Sequence, residues 1–323
     1  GSIDTGVCGI DGLFLGEGSA CDAAAEEPWP EQIVFGFVPS QDQEELQDDV
    51  DTFAAVLSAA LGIEVEGLVT TDYTGLGVAL GTGQADFGAF GPAGFVLADQ
   101  AFPGEFELIA QSVRFGSPTY HGQWFTNDPS ICAEDPVPGA FENLDPATGD
   151  RLATGVPTLL GPTETLALQV GYNGDGTRDE AVSEGFACEA GLDVVIGKTI
   201  SFTSETSTSG FIFPTVQLLN AGITEDQYDS VFSGGHDASV LAVYNGDADI
   251  GVSFDDARRS VREENPDVGE KVIVFNLTPD IANDVIAVRS GLPDSLKEAF
   301  FAAINDYIQT EEGEAVMDNL SSW

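Results

Sequence analysis

Gly83-Gln84-Ala85-Asp86-Phe87-Gly88 is echoed 163 residues later by Gly246-Asp247-Ala248-Asp249-Ile250-Gly251. Upstream, Ala79-Leu80 stands at the same offset from Ala242-Val243, and each copy follows a short helical stretch and opens a strand. Similarity at a fixed offset implies two related structural units. Around the copies, strand and helix patterns alternate. The apolar run 33–38 ends in Pro39-Ser40, and Ser40 with Gln43 reads as a capping box for a helix whose stripe is Phe53, Val56, Leu57, Ala60 and Leu61. Segments 63–69, 86–90, 106–113, 199–202, 249–254, 271–275 and 284–288 read as further strands. Such alternation is an α/β fold. The offset also sets Tyr73 against His236, each at or near a helix start, so that the two face each other across an interlobe cleft.

Composition bounds the function. A chain of 323 residues with 42% hydrophobic content buries ample core and suggests two lobes. Its 55 acidic residues against 10 basic give a net charge of −45, which repels nucleic acid and anionic membranes. Lys198, Lys271 and Lys297 are its lysines. An acidic, lysine-poor surface on an ordinary core is read as adaptation to high salt. Cys8, Cys21, Cys132 and Cys188 form no Cys-x-x-Cys pair and accompany two histidines, so neither a zinc site nor a cofactor is expected. An even number of widely spaced cysteines favours disulfides in an oxidising compartment; of three connectivities the most local, Cys8–Cys21 with Cys132–Cys188, is expected. Gly1-Ser2 reads as a cloning scar, with a signal peptide or lipid anchor removed upstream and 1–31 a surface tether. Apolar runs fall short of the ~20 residues that span a bilayer.

Ser207-Thr208-Ser209-Gly210-Phe211 lies between the strand 199–202 and a helix expected over 209–220. Three hydroxyls and several N–H groups therefore converge on one helix tip, where the dipole places partial positive charge. A tetrahedral oxyanion is the natural ligand; the ordinary alternative is one serine acting as a cap.

Over roughly residues 32–320 the chain resembles the phosphonate-binding proteins of bacterial ABC importers, through Asp72-Tyr73-Thr74-Gly75, Ser207-Thr208-Ser209-Gly210-Phe211, Gly235-His236 and the stretch 249–256. The resemblance implies the type II periplasmic-binding-protein fold, two α/β lobes joined by two hinge strands with an interlobe cleft. It implies that Ser207, Thr208 and Ser209 hold phosphonate oxygens, completed by Tyr73 and His236. Asp256 and Asp284 match acidic positions that receive a ligand ammonium, so a zwitterion such as 2-aminoethylphosphonate is expected.

Departures from the family pattern are also legible. Phe90 stands where a tyrosine is common, supplying a wall without a hydroxyl, and Tyr120, followed by His121, is a further candidate for the cleft. The lobes are expected at 32–112 with 285–323 and at 113–284, the latter carrying an insertion at about 128–193, with hinges near 112–119 and 277–284. Asn173, Asp175, Thr177, Asp179 and Glu184 fall on calcium-loop spacing, but Arg178 occupies the place of the turn glycine, so a decorated surface turn is read there. The expected protein is an extracytoplasmic, monomeric receptor that captures a small phosphonate and delivers it to a membrane permease. Phosphate, phosphite or a sulfonate is the alternative ligand. A hydrolase built on Ser207, His236 and Asp256 is the distant rival, lacking a Gly-x-Ser-x-Gly elbow.

Overall fold

The computed structural model describes residues 7–10, 13–16, 28–113, 118–138, 140–142, 158–160, 170–171, 177–310, 313, 316 and 320. Cys21 of the expected Cys8–Cys21 pair, and Asn173 and Asp175 of the calcium-spaced loop, lie outside these residues. The chain divides into two compact units: Gly1–Pro39, Gln43–Arg114 and Asp284–Trp323 form unit 1, and Ser40–Asp42 with Phe115–Asn283 form unit 2.

In chain order the elements of the first passage are β1 (Gln32–Phe37), α1 (Gln43–Leu61), β2 (Glu64–Val69), α2 (Tyr73–Gly81), β3 (Phe87–Phe90), α3 (Pro92–Ala101) and β4 (Phe106–Gln111). Next come β5 (Thr119–Tyr120), β6 (Gly122–Thr126), β7 (Val137–Pro138), β8 (Phe186–Ala187) and β9 (Thr199–Phe202). A π-turn over Thr208–Ile212 leads into α4 (Phe213–Asn220), followed by β10 (Asp229–Phe232), α5 (His236–Asn245) and β11 (Ile250–Phe254). The chain closes with β12 (Ile273–Leu277), β13 (Ile281–Ala282), β14 (Val285–Arg289) and α6 (Asp294–Tyr307).

Unit 1 is built on a five-stranded sheet of order β2-β1-β3-β14-β4. Strands β1, β2 and β3 run parallel, while β14 runs antiparallel to β3 and β4. α6 buries Leu296, Ala299, Phe300, Ala303, Ile304 and Tyr307, the spacing of one helical face. Phe300 stacks on Phe87 at 3.7 Å, and Tyr307 stacks on Phe53 of α1 at 5.6 Å. Each such ring contributes roughly 1.5–3 kcal/mol by burial, so this seam anchors the unit.

Unit 2 is built on a seven-stranded sheet of order β10-β9-β11-β6-β12-β8-β7, in which β9 is parallel to both β10 and β11. The order β10-β9-β11 repeats β2-β1-β3 of unit 1, with a helix after each of the first two strands in sequence. The sequence echo has a physical cause here. Asp86 donates its N–H to Val34 O at 2.8 Å and accepts Val34 N–H on Oδ2 at 2.9 Å; Asp249 does the same with Thr199, at 3.1 and 2.9 Å. Gly83 and Gly246 adopt positive φ, 74° and 80°, a conformation natural to glycine. After each, the chain turns back so that Gln84 and Asp247 donate to the carbonyls of Ala79 and Ala242.

Several local expectations are corrected. α1 starts at Gln43, so Ser40 stands three residues ahead of it and cannot box with Gln43; its carbonyl instead accepts His236 N–H at 2.9 Å. The strand expected at 271–275 begins at Ile273 and runs to Leu277, because Val268–Lys271 forms a helical turn. The helix expected over 209–220 starts one residue earlier, with a π-turn ahead of α4. Cys132 and Cys188 are bonded as expected, with Cα atoms 5.6 Å apart, tying the residue after a 3-10 turn to the one after β8. Arg178 donates to the carbonyls of Gly171, Asp179 and Val182, which holds the 171–182 turn together with a guanidinium.

Candidate functional site

In unit 2 the three parallel strands β10, β9 and β11 deliver three helix starts to the same edge of the sheet, the edge at which α/β folds bind ligands. β9 runs into Thr203 and on to Ser207, which caps the π-turn by accepting Gly210 N–H on Oγ at 3.2 Å. The ordinary capping role is thus present. Thr208 and Ser209 follow inside the first turn, and all three hydroxyl residues are 2–3% exposed. Gly210 is required by close approach: a side chain there would overlap the Thr203 side chain, while Thr203 N–H donates to Gly210 O at 3.2 Å.

β10 runs into Ser233, Gly234 and Gly235, then α5. Ser233 and Gly234 donate their N–H groups back to the carbonyls of Phe202 and Thr203, both at 2.8 Å, which locks the two loops side by side. His236 is the first residue of α5, as Tyr73 is the first residue of α2 in unit 1. Its Nδ1 lies 2.7 Å from Ser253 Oγ on β11, and its ring meets Phe254 edge-on at 4.8 Å, so strand β11 sets its rotamer. Ser239, one turn on, donates to Ser201 O or Val252 O, fastening α5 over β9 and β11.

Buried polar atoms usually find partners. Around this edge several have none among the described residues: Thr203 Oγ1, Thr206 Oγ1, Ser201 Oγ and Asp237 Oδ1. Asp237, the second residue of α5, belongs to no motif legible in the sequence. In a chain with 55 acidic residues only its burial distinguishes it. Burial pushes its carboxyl above the usual carboxylate range, backbone N–H groups of Ala238 and of Asp237 itself pull it down, and Asp42 pushes it up again.

The remaining expected site residues are placed differently. Asp256 caps the turn after β11, and its two oxygens receive Arg258 Nε at 2.8 Å and Nη2 at 2.7 Å, with both side chains buried. Arg258 also donates to the carbonyls of Phe186, Gly269 and Val272. An ammonium role is expected of Asp256, and in the structure a guanidinium already neutralises its carboxylate. Asp284 is half-buried at the start of β14 in unit 1, its carbonyl accepting Ser112 N–H at 2.9 Å. Phe90 is a core residue of unit 1, 1% exposed, edge-on to Phe95 at 6.3 Å; apolar clustering with Leu76 and Ala98 claims it. Tyr120 is half-buried on β5, paired with Ile281 of β13. His121 beside it presents Nδ1 to Asp255 at 3.2 Å and Nε2 to Asp280 at 3.1 Å. In unit 1, Tyr73 is 8% exposed and follows Asp72, whose Oδ1 accepts Gly75 N–H at 2.8 Å.

Residues 35–323 match the family described as ABC transporter, phosphonate, periplasmic substrate-binding protein. The phosphate-import protein PhnD of Mycolicibacterium smegmatis is 24% identical over 301 residues, covering 89% of this chain and 76% of its own. The phosphonates-binding periplasmic protein of Escherichia coli is 22% identical over 300 residues, covering 92% of this chain and 72% of its own. Among solved structures, PhnD1 of Prochlorococcus marinus in complex with methylphosphonate superposes with a TM-score of 0.64 at 20% identity, covering 90% of this chain and 91% of that one. This likeness carries the fold, that of type II periplasmic binding proteins.

Proposed function

The chain belongs to the phosphonate, periplasmic substrate-binding proteins of ABC transporters, and from that premise we propose that it captures a phosphonate-type oxyanion at the helix starts of unit 2. Its family consists of extracytoplasmic transport proteins rather than enzymes. The observation that carries the reading is the edge where Ser207, Thr208, Ser209 and His236 gather, with buried Thr203 and Thr206 hydroxyls lacking partners among the described residues. Small hydroxyls and N–H groups at a helix tip match a tetrahedral anion without any cationic side chain.

Tyr73, the first residue of α2 in unit 1, is the further ligand residue that the family resemblance implies. A few charge-assisted hydrogen bonds at about 1.5–3 kcal/mol each outweigh ordering costs and give micromolar affinity, about −8 kcal/mol. Binding is capture rather than chemistry. The captured ligand is then handed, by a monomeric receptor in a salty medium, to its permease.

Two ligands of one class compete. An aminoalkylphosphonate such as 2-aminoethylphosphonate would need a carboxylate for its ammonium, the role expected of Asp256 and Asp284. Pairing of Asp256 with Arg258 favours the second reading, a phosphonate or phosphate without a positive tail. Titration calorimetry with methylphosphonate, phosphate, phosphite and 2-aminoethylphosphonate decides. Micromolar or tighter binding of one of them is expected, and heat from none of the four would sink the reading.

A further inference from the structure

Asp237 is an unusual neighbour for an anion. It is the second residue of α5, directly after His236, and its Oδ1 is shielded from solvent with no hydrogen-bond partner among the described residues. A side-chain carbon placed on Gly235 would stand 2.5 Å from that oxygen. The carboxyl therefore folds back ahead of the helix start, over the backbone that leads into it, and does not extend sideways. The Ser40–Asp42 segment lies against the same spot: Ser40 O takes His236 N–H, and Gln41 Cα would be 3.6 Å from the same Gly235 carbon. Facing Asp237 is Asp42 from that segment, while the ring of His236, the preceding residue, is turned to Ser253 and Phe254. Asp42 is of like charge and raises the Asp237 carboxyl further.

An ionised carboxylate beside a bound oxyanion repels it, and two anionic oxygens approach within hydrogen-bonding distance only with a proton between them. We propose that Asp237 Oδ1 and the bound oxyanion share one proton, which makes the site selective for oxyanions able to bring that proton over those that cannot. The inference rests on the oxyanion site proposed above. Phosphonates, phosphate and phosphite lose their last acidic proton near neutrality and can bring it as the P–O–H of the monoanion. Sulfonates and sulfate are fully ionised there and bring none, so with them Asp237 must first take a proton from water. Protonated Asp237 donates its O–H to an oxyanion oxygen; the ionised form accepts the ligand's. The bound state is the same, with one proton between Oδ1 and a ligand oxygen. The raised carboxyl described above agrees with this.

The test is calorimetry of the full chain with methylphosphonate and methanesulfonate, in buffers of different ionisation enthalpy, for wild type and Asp237→Asn. At about pH 8, where free methylphosphonate is largely dianionic, the wild type is expected to take up close to one proton per ligand. It should prefer the phosphonate by about a hundredfold or more, the penalty for leaving a buried polar group unmatched. Asp237→Asn, whose amide donates without titrating, should lose the proton uptake and narrow the preference at least about tenfold, chiefly by binding the sulfonate better. Unchanged preference and unchanged proton uptake in the variant would overturn the shared proton and leave the oxyanion site standing. Failure of the wild type to bind either anion overturns both. Should the variant not fold, the wild-type enthalpies decide alone: binding of methylphosphonate with no dependence on buffer at about pH 8 rejects the proposal.

Discussion

Arg258 closes on Asp256 from two residues away, with Nε 2.8 Å from Oδ1 and Nη2 2.7 Å from Oδ2, inside a site that water barely reaches. Breaking a buried pair by removing one partner strands the other charge at a cost of about 3–5 kcal/mol. Asp256→Asn is therefore expected to lower the denaturation midpoint sharply. The ratio of affinities for 2-aminoethylphosphonate and methylphosphonate should not move. A tenfold change in that ratio would return Asp256 to the ligand.

Gly210 lets Thr203 lie against the π-turn that carries the hydroxyls. Gly210→Ala forces a methyl into that side chain, and overpacking costs roughly 1–3 kcal/mol. Methylphosphonate affinity should fall with stability, read by thermal melts with and without ligand. Full affinity in a well-folded variant would show that this turn does not meet the ligand.

Ser207→Ala removes the cap on Gly210 N–H, worth about 1 kcal/mol of stability. If the same hydroxyl also meets the anion, affinity drops by a further factor of ten or more, as expected for a lost charge-assisted bond of about 1.5–3 kcal/mol. Loss of stability with no loss of affinity would assign Ser207 to capping alone.

Cys132 and Cys188 close a loop with a sequence separation of 56. Chain entropy puts such a bridge at about 4 kcal/mol. The Cys132→Ser, Cys188→Ser double variant should unfold at lower denaturant yet bind methylphosphonate as tightly as wild type. Weakened binding in the folded variant would contradict the separation of loop and site.

The raised Asp237 carboxyl has a definite sign for folding without ligand. A carboxyl that holds its proton more tightly when folded opposes folding at neutral pH, and that penalty disappears as pH falls to the ordinary carboxylate range of about 4. Asp237→Asn should therefore stabilise the free protein more at about pH 8 than at about pH 4, by urea titration. An equal effect at both would mean the carboxyl is not displaced.

Much of this architecture is legible in the sequence because apolar period and turn chemistry agree. The 199–202 strand has the bounds read for it, and Tyr73 and His236 each open a helix. The echo is legible too, although only the structure shows why Asp86 and Asp249 recur: each clamps the start of a neighbouring parallel strand. Strand β10 escapes notice because all four of its residues are exposed on the sheet's edge, so neither alternation nor an apolar run marks it. The pairing of Asp256 with Arg258, two positions on, is not legible in the sequence, because it takes the turn after β11 to bring the two together. Phe90, expected to supply a wall, has its ring in the core between β3 and α3. Asp237 leaves no trace in a chain so rich in acid, because its distinction is its surroundings.

Strands β8 and β7 finish one side of the seven-stranded sheet, with β11, β6 and β12 between them and β9. The Cys132–Cys188 bridge thus fastens the margin opposite β9 and β10. For protein engineers this makes the bridge a fastening that can be removed: its loss should loosen the β7–β8 margin and leave the helix starts after β9 and β10 in place.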